Sequence, residues 1–311
     1  MFFKRIFKVA ATLAVVGLAI TSTVSTPSAL AKSHATQPQK ERVAIVKTMQ
    51  IGEHNISYTV QNPADLKKKA DRTILLVHGA SANSLSTDTL AAELGKRFVN
   101  SQIVQVDLPA HGKSTGPVVQ SVYGMADVVE EFLKQGQASG EFSKRILPVG
   151  ISMGGSVVQT LIFNQIKGLD TAVLISTSPE WSHFGPMLGL TGDQFNAMYP
   201  GMIEADYAVN TTPEQQAAFH DWFPLLIPAK ETSLGDIKAL VDFNLVGKLN
   251  EFKAKTLIIH GDADATAPIA NAQLMASQIK NSKLITIAGE THTYSMKQPA
   301  TVAQYIYDFV N

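Results

Sequence analysis

Six short apolar runs, at 73–77, 102–106, 145–149, 171–175, 256–259 and 283–287, are spaced along the chain with helical-period segments between them. The runs are rich in Val, Ile and Leu and show little alternation. That is the pattern of strands covered on both faces, and such strands belong to parallel sheets whose crossovers are helices. Segments 85–98, 122–134, 153–167, 268–279 and 299–310 supply the helices. The expectation is an α/β fold with a mostly parallel central sheet flanked by helices. Stretches 42–50 and 56–61, joined through Gly52-Glu53-His54-Asn55, add an amino-terminal hairpin. With 311 residues, 45% of them hydrophobic, there is material for one large core, expected over 42–180 and 251–311.

The alternation stops between Pro179 and Phe252, a stretch with no convincing strand. An inserted helical cap over 181–250 is the simplest reading. Thr212-Pro213-Glu214 offers a capping side chain followed by proline at a first helical position. Ile237, Leu240, Val241, Asn244, Leu245 and Leu249 make a largely apolar face at helical spacing. Residues 181–223 hold eight aromatics, including both tryptophans. Two uses are open to them: packing of the cap on the main unit, and an apolar wall for an acyl or aromatic substrate.

At the amino terminus Lys4, Arg5 and Lys8 precede an apolar stretch, 9–20, which gives way to small and polar residues ending in Ala29-Leu30-Ala31. This is the layout of a secretory signal peptide over 1–31 with cleavage after Ala31, followed by a linker over 32–41. The apolar stretch is shorter than the roughly 20 residues of a bilayer span, although residues up to Val24 could extend it, which leaves an uncleaved anchor as the alternative. No stable membrane span is therefore expected after cleavage, and the mature chain is expected to be exported: secreted, periplasmic or at the cell surface. Lys plus Arg and Asp plus Glu balance at 26 each, with no basic stripe, which argues against a nucleic-acid partner. The absence of cysteine excludes disulfides, thiolate metal sites and a cysteine nucleophile.

The chemistry-bearing motif is Gly150-Ile151-Ser152-Met153-Gly154-Gly155, which follows an expected strand and opens an expected helix. A sharp strand-to-helix turn lifts a serine above the sheet, and glycines two before and two after leave room where backbones approach too closely for a Cβ. A serine hydroxyl needs a base to take its proton and a carboxylate to orient that base. His260-Gly261-Asp262-Ala263-Asp264 and Gly289-Glu290-Thr291-His292 each follow an expected strand. Loops at the carboxyl ends of parallel strands share one rim, so Ser152, an aspartate and His292 can converge there. Sequence order leaves Asp262 and Asp264 open.

These motifs, in this order, resemble the α/β-hydrolase superfamily over nearly all of 42–311. His78-Gly79-Ala80-Ser81 is similar to the family's oxyanion-loop motif, and Asp107-Leu108-Pro109-Ala110-His111-Gly112-Lys113-Ser114 to its D-x-P-G-H-G-x-S turn. Two positions depart: Ala110 replaces a usual glycine, and Ile151 stands where a histidine often precedes the nucleophile. The resemblance implies a catalytic triad of Ser152, Asp264 and His292, with the N–H groups of Ala80 and Met153 as the oxyanion hole. Asp264 is preferred to Asp262 because the family's acid sits three residues after the loop glycine and four before a proline, as Gly261 and Pro268 provide. His78 and His111 read as loop-bracing residues, and His260 as a core histidine.

Such a constellation performs acyl transfer. It requires no cofactor, and neither metal-ligand spacing nor a dinucleotide glycine fingerprint is present. The expected function is an exported serine esterase cleaving a small-molecule substrate, a small or medium apolar carboxylic ester, a lipid monoester included. The alternatives are an aminopeptidase, lyase or carbon–carbon hydrolase on the same triad, with Glu204, Asp206 or Asp221 binding a substrate amine, and a binding protein of this fold without turnover.

Overall fold

Apolar continuity along the chain translates into the inner strands of one eight-stranded sheet in the computed structural model, which describes residues 42–63 and 70–311. The expected signal and linker, 1–41, lie outside the described residues. The strands are β1 (Arg42–Ile51), β2 (His54–Pro63), β3 (Thr73–Val77), β4 (Gln102–Val106), β5 (Ile146–Ile151), β6 (Thr171–Ile175), β7 (Lys255–Gly261) and β8 (Ser282–Ile287). Their spatial order is β1-β2-β4-β3-β5-β6-β7-β8. β2 runs antiparallel to β1 and β4, and all the other pairs are parallel.

Two departures from the sequence reading have simple causes. Ile51 pairs with His54, so the hairpin closes through Gly52-Glu53 alone and both strands are longer than expected. Gly52 makes this possible at φ +56, the positive φ that a tight hairpin turn demands. β8 is not covered on both faces: it is the last strand of the sheet, and its side chains are half-buried or exposed.

Side chains alternate between two apolar layers because a strand has a period of two. Leu75 and Val77 face the layer of α2 (Val122–Ala138), α3 (Met153–Phe163) and α7 (Ile269–Gln278). Ile74 and Leu76 face the layer of α1 (Asp88–Arg97) and α9 (Pro299–Val310). A short helical turn, α8 (Tyr294–Lys297), precedes α9. Among the described residues, no helix is long and apolar enough to cross a membrane.

Between β6 and β7 the chain is helical and contributes no strand to the sheet. It comprises α4 (Gly192–Ala208), α5 (Pro213–Trp222) and α6 (Lys230–Val241), with 3₁₀ turns at Ser182–Gly189, Phe223–Leu225 and Val246–Glu251. Thr191 and Thr212 each cap a helix reciprocally with a glutamine three residues on, Gln194 and Gln215. The apolar face read over 237–249 is divided, since α6 stops at Val241 and Val246–Glu251 resumes as a 3₁₀ turn. The two ends of the insertion meet: the Leu245 N–H donates to the Pro179 carbonyl at 2.9 Å. Trp181, fully buried, donates its indole N–H to Ser156 Oγ on α3 at 2.8 Å and pins the insertion to the main core.

Candidate active site

Ser152 occupies the one-residue joint between β5 and α3, with φ 55 and ψ −122. The glycines around it are required by contact. A Cβ on Gly150 would lie 2.3 Å from the Gly154 carbonyl oxygen, and one on Gly154 would lie 2.2 Å from that of Val77. The joint can therefore turn sharply only because Gly150 and Gly154 let backbones touch, while Gly155 and Gly79 leave room for neighbouring side chains. Gly155 packs its Cα side on Thr177, and Gly79 lies against Ser152 itself, where a Cβ would stand 3.1 Å from that of the serine.

His292 follows β8 and Asp264 follows β7, both at the carboxyl rim of the sheet. His292 Nε2 stands 2.9 Å from Ser152 Oγ, and His292 Nδ1 stands 2.8 Å from Asp264 Oδ2. In the neutral ring Nδ1–H donates to the carboxylate and Nε2 accepts from the serine hydroxyl. Asp264 Oδ1 is occupied by the N–H groups of Thr266 (2.9 Å) and Ala267 (2.8 Å), so the carboxylate is fixed on both oxygens. Burial by itself penalises the charge on Asp264, but His292 and these N–H bonds hold its pKa below the usual carboxylate range. Burial likewise disfavours a charged His292, and the facing Asp264 outweighs it, leaving the imidazole above its ordinary value. Asp262, the other aspartate of the loop, is exposed and accepts the Gly289 N–H at 2.6 Å.

Ala80 and Met153 flank the serine from the β3 loop and from the first position of α3. Among the described residues, no hydrogen bond engages the N–H of either. A cleft enclosing about 930 Å³, its open mouth included, lies over Ser152. Phe184, Met187, Phe195, Met198, Tyr199 and Phe223 of the insertion form much of its wall, and no Asp, Glu, Lys or Arg lines it. The eight rings divide between two places. Four of the eight rings line the cleft, whereas Tyr207 stacks on Phe219 (centroids 3.9 Å apart) inside the insertion.

The sequence profile of the alpha/beta hydrolase family matches residues 74–305, more than half of the chain. The chain belongs to this family. Among its curated relatives, a pimeloyl-[acyl-carrier protein] methyl ester esterase of Nitrosomonas europaea is 24% identical over 226 residues, covering 68% of this chain and 85% of that protein. The protein of the same name from Yersinia pseudotuberculosis is 24% identical over 254 residues, covering 78% and 94%. Among solved structures, an esterase from Exiguobacterium antarcticum superposes with a TM-score of 0.73 at 18% identity, over 86% of this chain and 99% of that one.

The remaining motif residues of this alpha/beta hydrolase brace its loops. His78 accepts the Leu108 N–H on Nε2 at 3.1 Å and donates from Nδ1 to the Gly79 carbonyl at 2.8 Å. Burial and the neighbouring His111 bring its pKa down to about 4, so it is neutral. Asp107 accepts the N–H groups of Ser84 and Lys113, tying the two loops together. Ala110 adopts φ 63, which explains why glycine is usual at this place in the turn. His260 is buried and donates to the Ala267 carbonyl at 2.7 Å.

The acidic residues weighed as amine binders are otherwise engaged or remote. Glu204 pairs with His220 at 2.7 Å, Asp206 accepts backbone N–H groups of the His292 loop, Asp221 is exposed, and none of the three lines the cleft. One buried carboxylate, Asp236 on α6, escaped the sequence reading; it faces His111 Nε2 at 3.0 Å. Its partners are 125 and 155 residues away along the chain, and no local pattern marks it.

Proposed function

We propose that this alpha/beta hydrolase is a serine-dependent carboxylic ester hydrolase acting on small or medium apolar esters through an acyl-serine intermediate. The observation that carries the proposal is the continuous Asp264–His292–Ser152 hydrogen-bond relay opening into a cleft whose wall bears no formally charged Asp, Glu, Lys or Arg side chain. The esterase relatives support ester cleavage as the reaction class.

In the proposed reaction, His292 takes the Ser152 proton as Oγ attacks the ester carbonyl, and Asp264 stabilises the imidazolium that forms. The carbonyl oxygen becomes negative in the tetrahedral state and is held by the N–H groups of Ala80 and Met153, each such donor contributing about 10²–10³ in kcat. His292 then protonates the leaving alcohol, and a water activated by the same ring releases the acid. An amine substrate is disfavoured, because no Asp or Glu side chain lines the cleft to pair with it.

The test is turnover of a chromogenic ester series by the purified protein. Hydrolysis of short and medium acyl esters, abolished by Ser152→Ala, is expected; absence of turnover across the series, with tight retention of an acyl ligand, would instead favour a binding protein. Export through residues 1–31 is a separate part of the proposal, resting on that segment's charge and apolar pattern. Amino-terminal sequencing of the protein recovered outside the cytoplasm is expected to begin at Lys32; an intact Met1 there would refute cleavage.

A further inference from the structure

The insertion reaches the site from two sides: Asp236 accepts one backbone N–H, and Asp206 accepts two. Asp236 of α6 is fully buried, and its Oδ2 accepts the Ser81 N–H at 2.7 Å while facing His111 Nε2 at 3.0 Å. Ser81 directly follows Ala80 and sits at φ 50, a left-handed conformation that a serine holds only when its surroundings impose it. The Ala80 carbonyl accepts the hydroxyl of Tyr199, on α4, at 3.1 Å. The loop bearing the expected oxyanion donor is therefore gripped by α4 and α6 together.

At the other side Asp206, near the end of α4, accepts the N–H of His292 on Oδ1 at 3.2 Å and that of Thr293 on Oδ2 at 2.8 Å. Its own carbonyl accepts the Thr291 hydroxyl at 2.9 Å. The next residues continue the grip: Asn210 donates to the Gly289 carbonyl at 2.9 Å, and Lys297 donates to the Val209 carbonyl at 2.9 Å. Neither carboxylate lines the cleft, so neither is placed to touch substrate.

We propose that Asp206 and Asp236 are positioning residues, through which the cap fixes the backbone of the histidine loop and of the oxyanion loop. The cap then forms part of the catalytic scaffold as well as the substrate wall. The inference rests on the proposed roles of His292 and Ala80. Its physical basis is that a reacting group displaced by about 1 Å loses on the order of 10² in rate. Charge-assisted bonds to N–H are also stronger than those a neutral acceptor makes.

The two carboxylates are expected to differ in their electrical effect. His292 is faced by Asp264 from the β7 loop, His260 from β7, Ser152 from the β5–α3 joint and Asp206 from α4. The negative charges of Asp264 and Asp206 both favour its protonated form. Removing the charge of Asp206 is thus expected to lower the pH at which His292 titrates, whereas removing that of Asp236 is not.

Asp206→Ala, Asp206→Asn, Asp236→Ala and Asp236→Asn test this by three measurements: ester kinetics, NMR-detected amide exchange, and NMR titration of the His292 ring. Both Ser81 and His111 address one oxygen of Asp236, so Asn can present a carbonyl oxygen in its place. Asp236→Asn is therefore the variant expected to fold and to keep kcat within about tenfold of wild type. Asp206 uses both oxygens, so Asn replaces only one acceptor.

The expected result is a roughly 10–100-fold fall in kcat with little change in KM for the two alanine variants. Faster exchange is expected at His292 and Thr293 alone in the Asp206 variants and at Ser81 alone in Asp236→Ala. A lower His292 pKa is expected in both Asp206 variants and in neither Asp236 variant. Wild-type kcat with unchanged amide exchange, or a loss confined to KM, would overturn the proposal. Exchange and titration need no turnover: if they respond as described while wild type cleaves no ester, the anchoring stands and the esterase reading fails.

Discussion

A serine held at φ 55 between a strand and a helix is strained, and the strain persists because Gly150 and Gly154 let the surrounding backbone close on it. Each member of the relay then has a separable consequence. Asp264→Asn leaves the shape but reverses the donor–acceptor sense at His292 Nδ1, and kcat is expected to fall about 10⁴-fold. Asp262→Asn, at an exposed loop bond, is expected to stay within about threefold of wild type; steady-state kinetics on the pair checks the assignment. His292 acts as base only when neutral, and its pKa lies above the ordinary imidazole value. kcat/KM is therefore expected to rise with pH through a limb above about 6.5, read from a pH–rate profile. Ala110 offers a stability test remote from the chemistry. At φ 63 it carries the Cβ penalty that glycine lacks, so Ala110→Gly is expected to stabilise the fold by about 0.5–1 kcal/mol in denaturant unfolding.

At the scale of elements, the joint between β5 and α3 admits no side chain at Gly154, where a Cβ would meet the carbonyl oxygens of Val77 at 2.2 Å and His78 at 2.4 Å. Gly154→Ala must push β3 and α3 apart. It is expected to cost several kcal/mol, about 3 or more, measured by thermal or denaturant unfolding. The inner strands were legible because each is a continuous apolar run, and the helical insertion between β6 and β7 was legible as a gap in that rhythm. β8 misled because an edge strand in this chain carries the same apolar density as an inner one. The start of α4 was available in Thr191-Gly192-Asp193-Gln194, a capping box, although Pro200 in its interior obscures the helix that follows. Ser152, Asp264 and His292 could be picked out because each sits in a short motif at a strand end. Asp236 could not, because its meaning lies in Ser81 and His111, which only the folded chain brings to it.

For the whole molecule, the sheet rim carries Ser152, Asp264 and His292, and the insertion supplies the aromatic wall of the cleft above them. The cleft wall bears aromatic and methionine side chains and no Lys or Arg. Each methylene of an acyl chain that stays within it is expected to raise kcat/KM by up to about fourfold. A terminal carboxylate on the same chain is expected to lower it at least about tenfold, since the charge would be buried without a partner; a matched series of ester substrates compares the two. The central claim is that Ser152 is the nucleophile, and covalent labelling tests it most directly. A serine-directed fluorophosphonate, followed by peptide mass spectrometry, is predicted to modify Ser152 alone at one equivalent per chain, with no labelling of Ser152→Ala. Modification at Ser81, Ser114 or Ser156, or undiminished labelling of the Ser152→Ala variant, would contradict the account.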